Sequence, residues 1–110
     1  MQLYPKFIIE TLPVLGNCII LSQCARHYQL VTNSQNVKGG GWFLINNETN
    51  TITLHGKSDE FGQASLDDIK TCINNGNVFT SPQLLHPIAD KYNFNYNSET
   101  EIINLKSMEL

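Results

Sequence analysis

Charge is what this sequence has least of. Asp, Glu, Lys and Arg make up 15% of its 110 residues, against ~25% in an average soluble protein. The net charge is −3. This excludes the strongly basic footprint that binds duplex phosphates, so nucleic acid is not an expected partner. Cysteine is scarce and odd in number: Cys18, Cys24 and Cys72, with no C-x-x-C. That excludes a disulfide-stapled secreted scaffold. Three free, buried thiols in a reducing compartment are expected, with a Cys18–Cys24 bridge as the lesser alternative. Long apolar runs are missing too. The longest charge-free stretch near the N-terminus runs from Thr11 to Ala25. It is shorter than the ~20 residues that span a bilayer, and Pro13, Gly16 and Asn17 interrupt it. The chain opens without the basic region and cleavage site of a signal peptide. A soluble, cytoplasmic protein without membrane contact is expected. No histidine has a second ligand at metal-binding spacing, so neither a metal nor a cofactor is expected.

Asparagine takes the place of charge, with 13 in the chain. Most of the polar surface must be neutral amide. The length suits one domain, residues 1–110, with a small core.

Several segments show clear periodicity. Lys6–Thr11 is apolar and β-branched, and a Pro13/Gly16 turn signal follows it. Cys18–Leu21 is a short apolar run that reads as a strand covered on both faces. His27–Thr32 is a candidate partner strand. Trp42–Ile45 and Thr51–His55 flank the turn residues 46–50 and predict a hairpin. Its alternation puts Trp42 and Leu44 on one face, Phe43 and Ile45 on the other. Leu66–Asn75 is the best helix. Ser65 caps it, Asp68 completes a capping box, and Gly76 suits a left-handed terminus. Leu66, Ile69, Cys72 and Ile73 form its apolar stripe. A short helix is expected near Gln83–His86 or over Ile88–Tyr92. Tyr92, Phe94 and Tyr96 alternate with asparagines as in a strand, and Thr100–Leu105 is a last strand. Strands, hairpin, helix and strands in that order predict an α+β fold.

The loop Gly56-Lys57-Ser58-Asp59-Glu60-Phe61-Gly62 joins the hairpin to the helix. Such a glycine-bracketed loop can aim backbone N–H groups at an anion, with Lys57 and Ser58 adding a charge and a hydroxyl. It is not a P-loop, because G-x-x-x-x-G-K-[ST] is absent.

The stretch from Gly39-Gly40-Gly41-Trp42 through Thr51–Gly62 and into the helix resembles the core of the Janus/Ocnus family. That family includes the 14-kDa phosphohistidine phosphatases. Its pattern is a glycine triplet opening a hairpin, then an aromatic–Gly–x–Ser–x–x–aromatic–Gly loop, then a helix. The likeness covers Gly39 to about Lys70. It implies a single small mixed sheet with one or two packed helices. It implies an oxyanion site around Ser58, lined by Asp59 and Glu60, with the glycines Gly39, Gly40, Gly41, Gly56 and Gly62 shaping the loop. The family's catalytic histidine lies upstream of the triplet. The only histidine there is His27, twelve residues before Gly39, and Arg26 beside it could hold a phosphoryl oxygen. Trp42 stands where the family has an arginine.

The resemblance thus implies a phosphate-recognising protein that hydrolyses phosphohistidine or phospholysine, on a phosphorylated protein or a small phosphoryl compound. The alternative is a non-catalytic interaction or regulatory protein on the same scaffold, favoured by the missing arginine and the low charge. A third reading takes Tyr92, Phe94 and Tyr96 as a stacking surface for bases. His55 and His86 read as structural.

Overall fold

A computed structural model describes residues 3–24, 26–27, 33–80, 86–97 and 102–106. Most of them are strand. The strands are β1 (Tyr4–Leu12), β2 (Gly16–Cys24), β3 (Val37–Asn46), β4 (Thr51–His55), β5 (Val78–Thr80), β6 (His86–Pro87), β7 (Asn93–Asn97) and β8 (Ile102–Lys106). They form one curled sheet in the order β6-β5-β2-β1-β3-β4-β7-β8. The single α-helix among the described residues, α1, spans Leu66–Asn74. This overturns the expected α+β fold with one or two packed helices. The second helix is what fails: His86–Pro87 pairs with β5 and Ile88–Tyr92 form a turn, so strands dominate the chain.

β1 and β2 form a nine-residue antiparallel hairpin, with Ile8 opposite Ile20. β3 packs on the other side of β1, pairing Ile8 with Gly40 and Lys6 with Trp42. The predicted hairpin forms as β3 and β4, with Phe43 opposite Leu54 and Ile45 opposite Ile52. The sheet is mixed because β5 joins β2, and β7 joins β4, in parallel. Such parallel joins need a crossover. The connection holding α1 supplies one between β2 and β5.

Alternation along the strands sorts the side chains into two clusters. Phe7, Ile9, Ile19, Leu21, Phe43, Ile52, Leu54, Phe94 and Tyr96 face α1 and its Ile69, Cys72 and Ile73. Ile8, Ile20 and Cys24 point the other way, under Leu12, Val37 and Phe61. Ser65 Oγ accepts the Asp68 N–H at 3.1 Å, so the predicted cap starts α1. Gly76 follows it at φ +74°.

Several expected elements differ. β2 is not partnered by His27–Thr32. Its neighbours are β1 and β5, His27 lies in no strand, and 28–32 lie outside the described residues. Residues 81–85 also lie outside them, and His86–Pro87 is a short strand instead of a helix end. Ile88–Tyr92 is a turn closed by the Lys91 N–H on the Ile88 carbonyl. Phe94 and Tyr96 are buried in the core, so they offer no platform for bases. Among the described residues, no helix is long and apolar enough to cross a membrane. All three cysteines are free and buried.

Candidate functional site

The glycine triplet is where the site is built. Gly40 and Gly41 lie in β3 directly beside β1. A methyl group on Gly40 would come within 2.5 Å of the Phe7 carbonyl oxygen and 3.2 Å of the His27 ring. One on Gly41 would strike the His55 and Gly56 carbonyl oxygens. Without side chains there, two other parts of the chain can close on the strand.

The first is His27. Its Nε2 lies 2.7 Å from the Gly41 carbonyl oxygen. A carbonyl only accepts, so Nε2 carries the proton and Nδ1 keeps its lone pair. The ring meets Trp42 edge-on, with centroids 5.2 Å apart. Burial pushes the His27 pKa below its ordinary value, and the nearby Lys6 charge adds to that. The Gly41 hydrogen bond and the carboxylates of Glu60 and Asp59 oppose it. The imidazole is therefore neutral at pH 7.

The second is the turn at Ser58. The Ser58 N–H donates to the Gly40 carbonyl at 3.0 Å, and the Gly40 N–H donates to the Gly62 carbonyl at 3.1 Å. Ser58 Oγ accepts from the backbone N–H of Glu60 and of Phe61, each at 3.1 Å. The hydroxyl thus folds the turn from inside, as serine does in local side-chain-to-backbone turns. Phe61 anchors the far end in the smaller core cluster.

The sequence-predicted residues fall into three groups. His27 reaches Gly40 and Gly41, Ser58 bonds the Gly40 carbonyl, and both residues are 2% exposed. Asp59 and Glu60 are exposed on the turn, yet near enough to act on the His27 charge. The Glu60 N–H, expected to face an anion, is taken by Ser58 Oγ. Lys57 and Arg26 are exposed at the margins, and the Arg26 N–H hydrogen-bonds the Cys24 sulfur. Gly56 lets the Trp42 indole lie against its backbone, since a methyl there would come within 2.8 Å of the ring. Gly62 closes the turn with its N–H on the Ser58 carbonyl. Gly39 pairs with Ile9.

Sequence reasoning missed Lys6. It is the one buried lysine among the described residues. Its Nζ lies 5.7 Å from the Trp42 ring centroid and 5.8 Å from that of Tyr4. Its charge reaches both His27 and Cys24. The available signal was alternation. Lys6, Ile8 and Glu10 share one face of an otherwise apolar strand, and a charge on a covered face is unusual.

No group of three or more His, Cys, Asp or Glu among the described residues could hold a metal ion. Compared with known proteins, the chain matches no family model, no curated protein and no solved structure.

Proposed function

We propose that this chain binds a phosphoryl group where the glycine triplet meets the Ser58 turn, and acts there as a Janus/Ocnus-like hydrolase of phosphohistidine or phospholysine. The supporting observation is the state of His27. Its Nε2–H is held by the Gly41 carbonyl, and burial keeps the ring neutral. That leaves Nδ1 unprotonated, as a nucleophile or general base must be. Lys6 supplies fixed positive charge nearby, and the Ser58 hydroxyl proton adds a donor. In the proposed reaction Nδ1 bonds to phosphorus as the substrate's P–N bond breaks, and the leaving nitrogen takes a proton. Water then releases phosphate and restores the imidazole. The substrate is a phosphorylated protein or a small phosphoryl compound. Three free thiols fit a reducing cytoplasm.

Hydrolysis of phosphohistidine and phospholysine peptides tests this directly. Turnover that disappears in His27→Ala and His27→Gln is expected. Turnover in neither substrate, or turnover unchanged in both variants, refutes the catalytic reading.

Burial favours a second reading. At 2% exposure each, His27 and Ser58 can serve to lock the glycine strand and the turn. The chain is then a non-catalytic protein-binding module that keeps a phosphatase-like loop. Phosphoryl binding at Ser58 without turnover, or a stoichiometric protein partner, distinguishes it.

A further inference from the structure

The curled sheet keeps a hollow on the side that faces α1. The helix packs its Ile69, Cys72 and Ile73 into that side. Away from the helix, a cavity of about 200 Å³ lies between β2, β3, β5 and the Ile88–Tyr92 turn. Leu21, Phe43, Ile45, Ile88 and Tyr92 form its apolar walls. Ser22, Gln23 and Thr80 also border it. None of these described residues belongs to α1 or to the site around His27 and Ser58.

Three properties of this cavity stand together. It is hydrophobic, because Leu21, Phe43 and Ile88 belong to the main core cluster and Tyr92 packs against it. It is uncharged, because none of the described residues around it is Asp, Glu, Lys, Arg or His. It can be reached from solvent, because Ile45 at its edge is 47% exposed.

Each property narrows the ligand. The walls of an apolar void forgo dispersion contacts that a guest restores. A cavity of about 150 Å³ lined by Leu, Ile and Phe stays dry and takes up benzene. The space here is of the same kind and somewhat larger, which suits one ring or a fused pair. An ionised guest would bring a charge to walls that hold no counter-charge, which is unfavourable. Phe43 and Tyr92 favour a flat ring over a chain, because aromatic pairs gain energy beyond the area they bury. We propose that this cavity binds a small neutral aromatic molecule of one ring or two fused rings, with Phe43 and Tyr92 supplying aromatic contacts and Leu21, Ile45 and Ile88 aliphatic ones. This is independent of the phosphoryl reading.

The full chain, with isoleucine and leucine methyl groups labelled, is titrated with phenol, benzyl alcohol and indole to ~10 mM, a range that registers Kd values of order 1 mM. Benzoate and benzylammonium serve as comparators that carry the ring with a charge. At least one neutral compound is expected to shift the Leu21, Ile45 and Ile88 methyl signals saturably. Both charged comparators should bind at least ~tenfold more weakly. Ile45→Trp fills the cavity from its exposed edge, and Ile45→Lys places a charge there. Each should weaken binding at least ~tenfold with the melting temperature retained. The proposal is overturned if no neutral compound shifts these signals, or if the shifts fall elsewhere. It is equally overturned if both variants bind unchanged, if the charged comparators bind as tightly, or if methyl contacts show residues 81–85 filling the cavity.

Discussion

The His27 Nε2–H and the Gly41 carbonyl, 2.7 Å apart, tie two segments fourteen residues apart into one unit. The bond fixes the imidazole tautomer and satisfies a strand carbonyl at the same time. His27→Ala removes the donor from a buried carbonyl, which costs about 1–3 kcal/mol. His27→Gln can keep an N–H on that carbonyl and should recover part of the stability but none of the hydrolysis. Urea unfolding and peptide hydrolysis on the same samples separate the two effects. If Ala and Gln are equally stable, the bond carries no measurable stability.

The burial of His27 also sets a pH dependence. Its pKa in the fold lies below the ordinary 6.5. Between those two values the unfolded chain binds more protons than the folded one. His27 therefore lowers stability as pH falls through 6.5 toward its folded pKa. Above that window its contribution is constant. The melting temperature should drop across this window in the native chain, and less so in His27→Gln. Parallel profiles for the two proteins would contradict the assignment.

At Gly40 the backbone of β1 leaves no room. Gly40→Ala places a methyl 2.5 Å from the Phe7 carbonyl oxygen, and the strands must part to accept it. Overpacking of this kind costs typically ~1–3 kcal/mol and occasionally more. Gly62→Ala is a contrast, because open space surrounds Gly62 and only its φ of +80° opposes a side chain. Chemical unfolding should rank Gly40→Ala as the more damaging. The reverse order would show that β1 and β3 are less closely paired.

Ser58→Ala leaves the Glu60 and Phe61 amides without their acceptor. A loss of about 1–2 kcal/mol is expected, of the size seen for lost capping residues. Amide exchange at Glu60 and Phe61 should accelerate in the variant. Unchanged exchange there would mean that Ser58 does not hold the turn.

The cysteines give a separate check on the core. Burial raises the Cys18 and Cys24 pKa values and pushes Cys72 up to about 12. A thiol must be both exposed and ionised to react. An aromatic disulfide reagent should label none of them in the folded protein, and all three on unfolding. Fast labelling of Cys72 under native conditions would contradict its place on the buried face of α1.

Local chemistry was legible where one short signal decides the structure. The hairpin from Trp42 to His55 and the cap at Ser65 both followed from a few adjacent residues. The placement of β2 did not. Cys18–Leu21 reads as a strand, but its neighbours are set by the β1 hairpin and by β5, more than fifty residues later. Asn93 to Asn97 alternates cleanly, yet nothing local says that it lies parallel to β4. The site divides the same way. His27, Ser58 and the glycines were visible by type and spacing. Lys6 was hidden because its meaning depends on which face of β1 is covered. The inward use of the Ser58 hydroxyl was hidden because the same Ser–Glu–Phe spacing serves a turn or an anion.

Amide spectra of the isotope-labelled chain show whether a phosphoryl group binds at the Ser58 turn. Inorganic phosphate and phosphoramidate are titrated separately. Saturable shifts centred on Gly41, Ser58 and Asp59 are expected, with the His27 ring signals moving at the same ligand concentrations. Saturation with no movement at Ser58 and His27, or no response to either anion, would contradict binding at the turn.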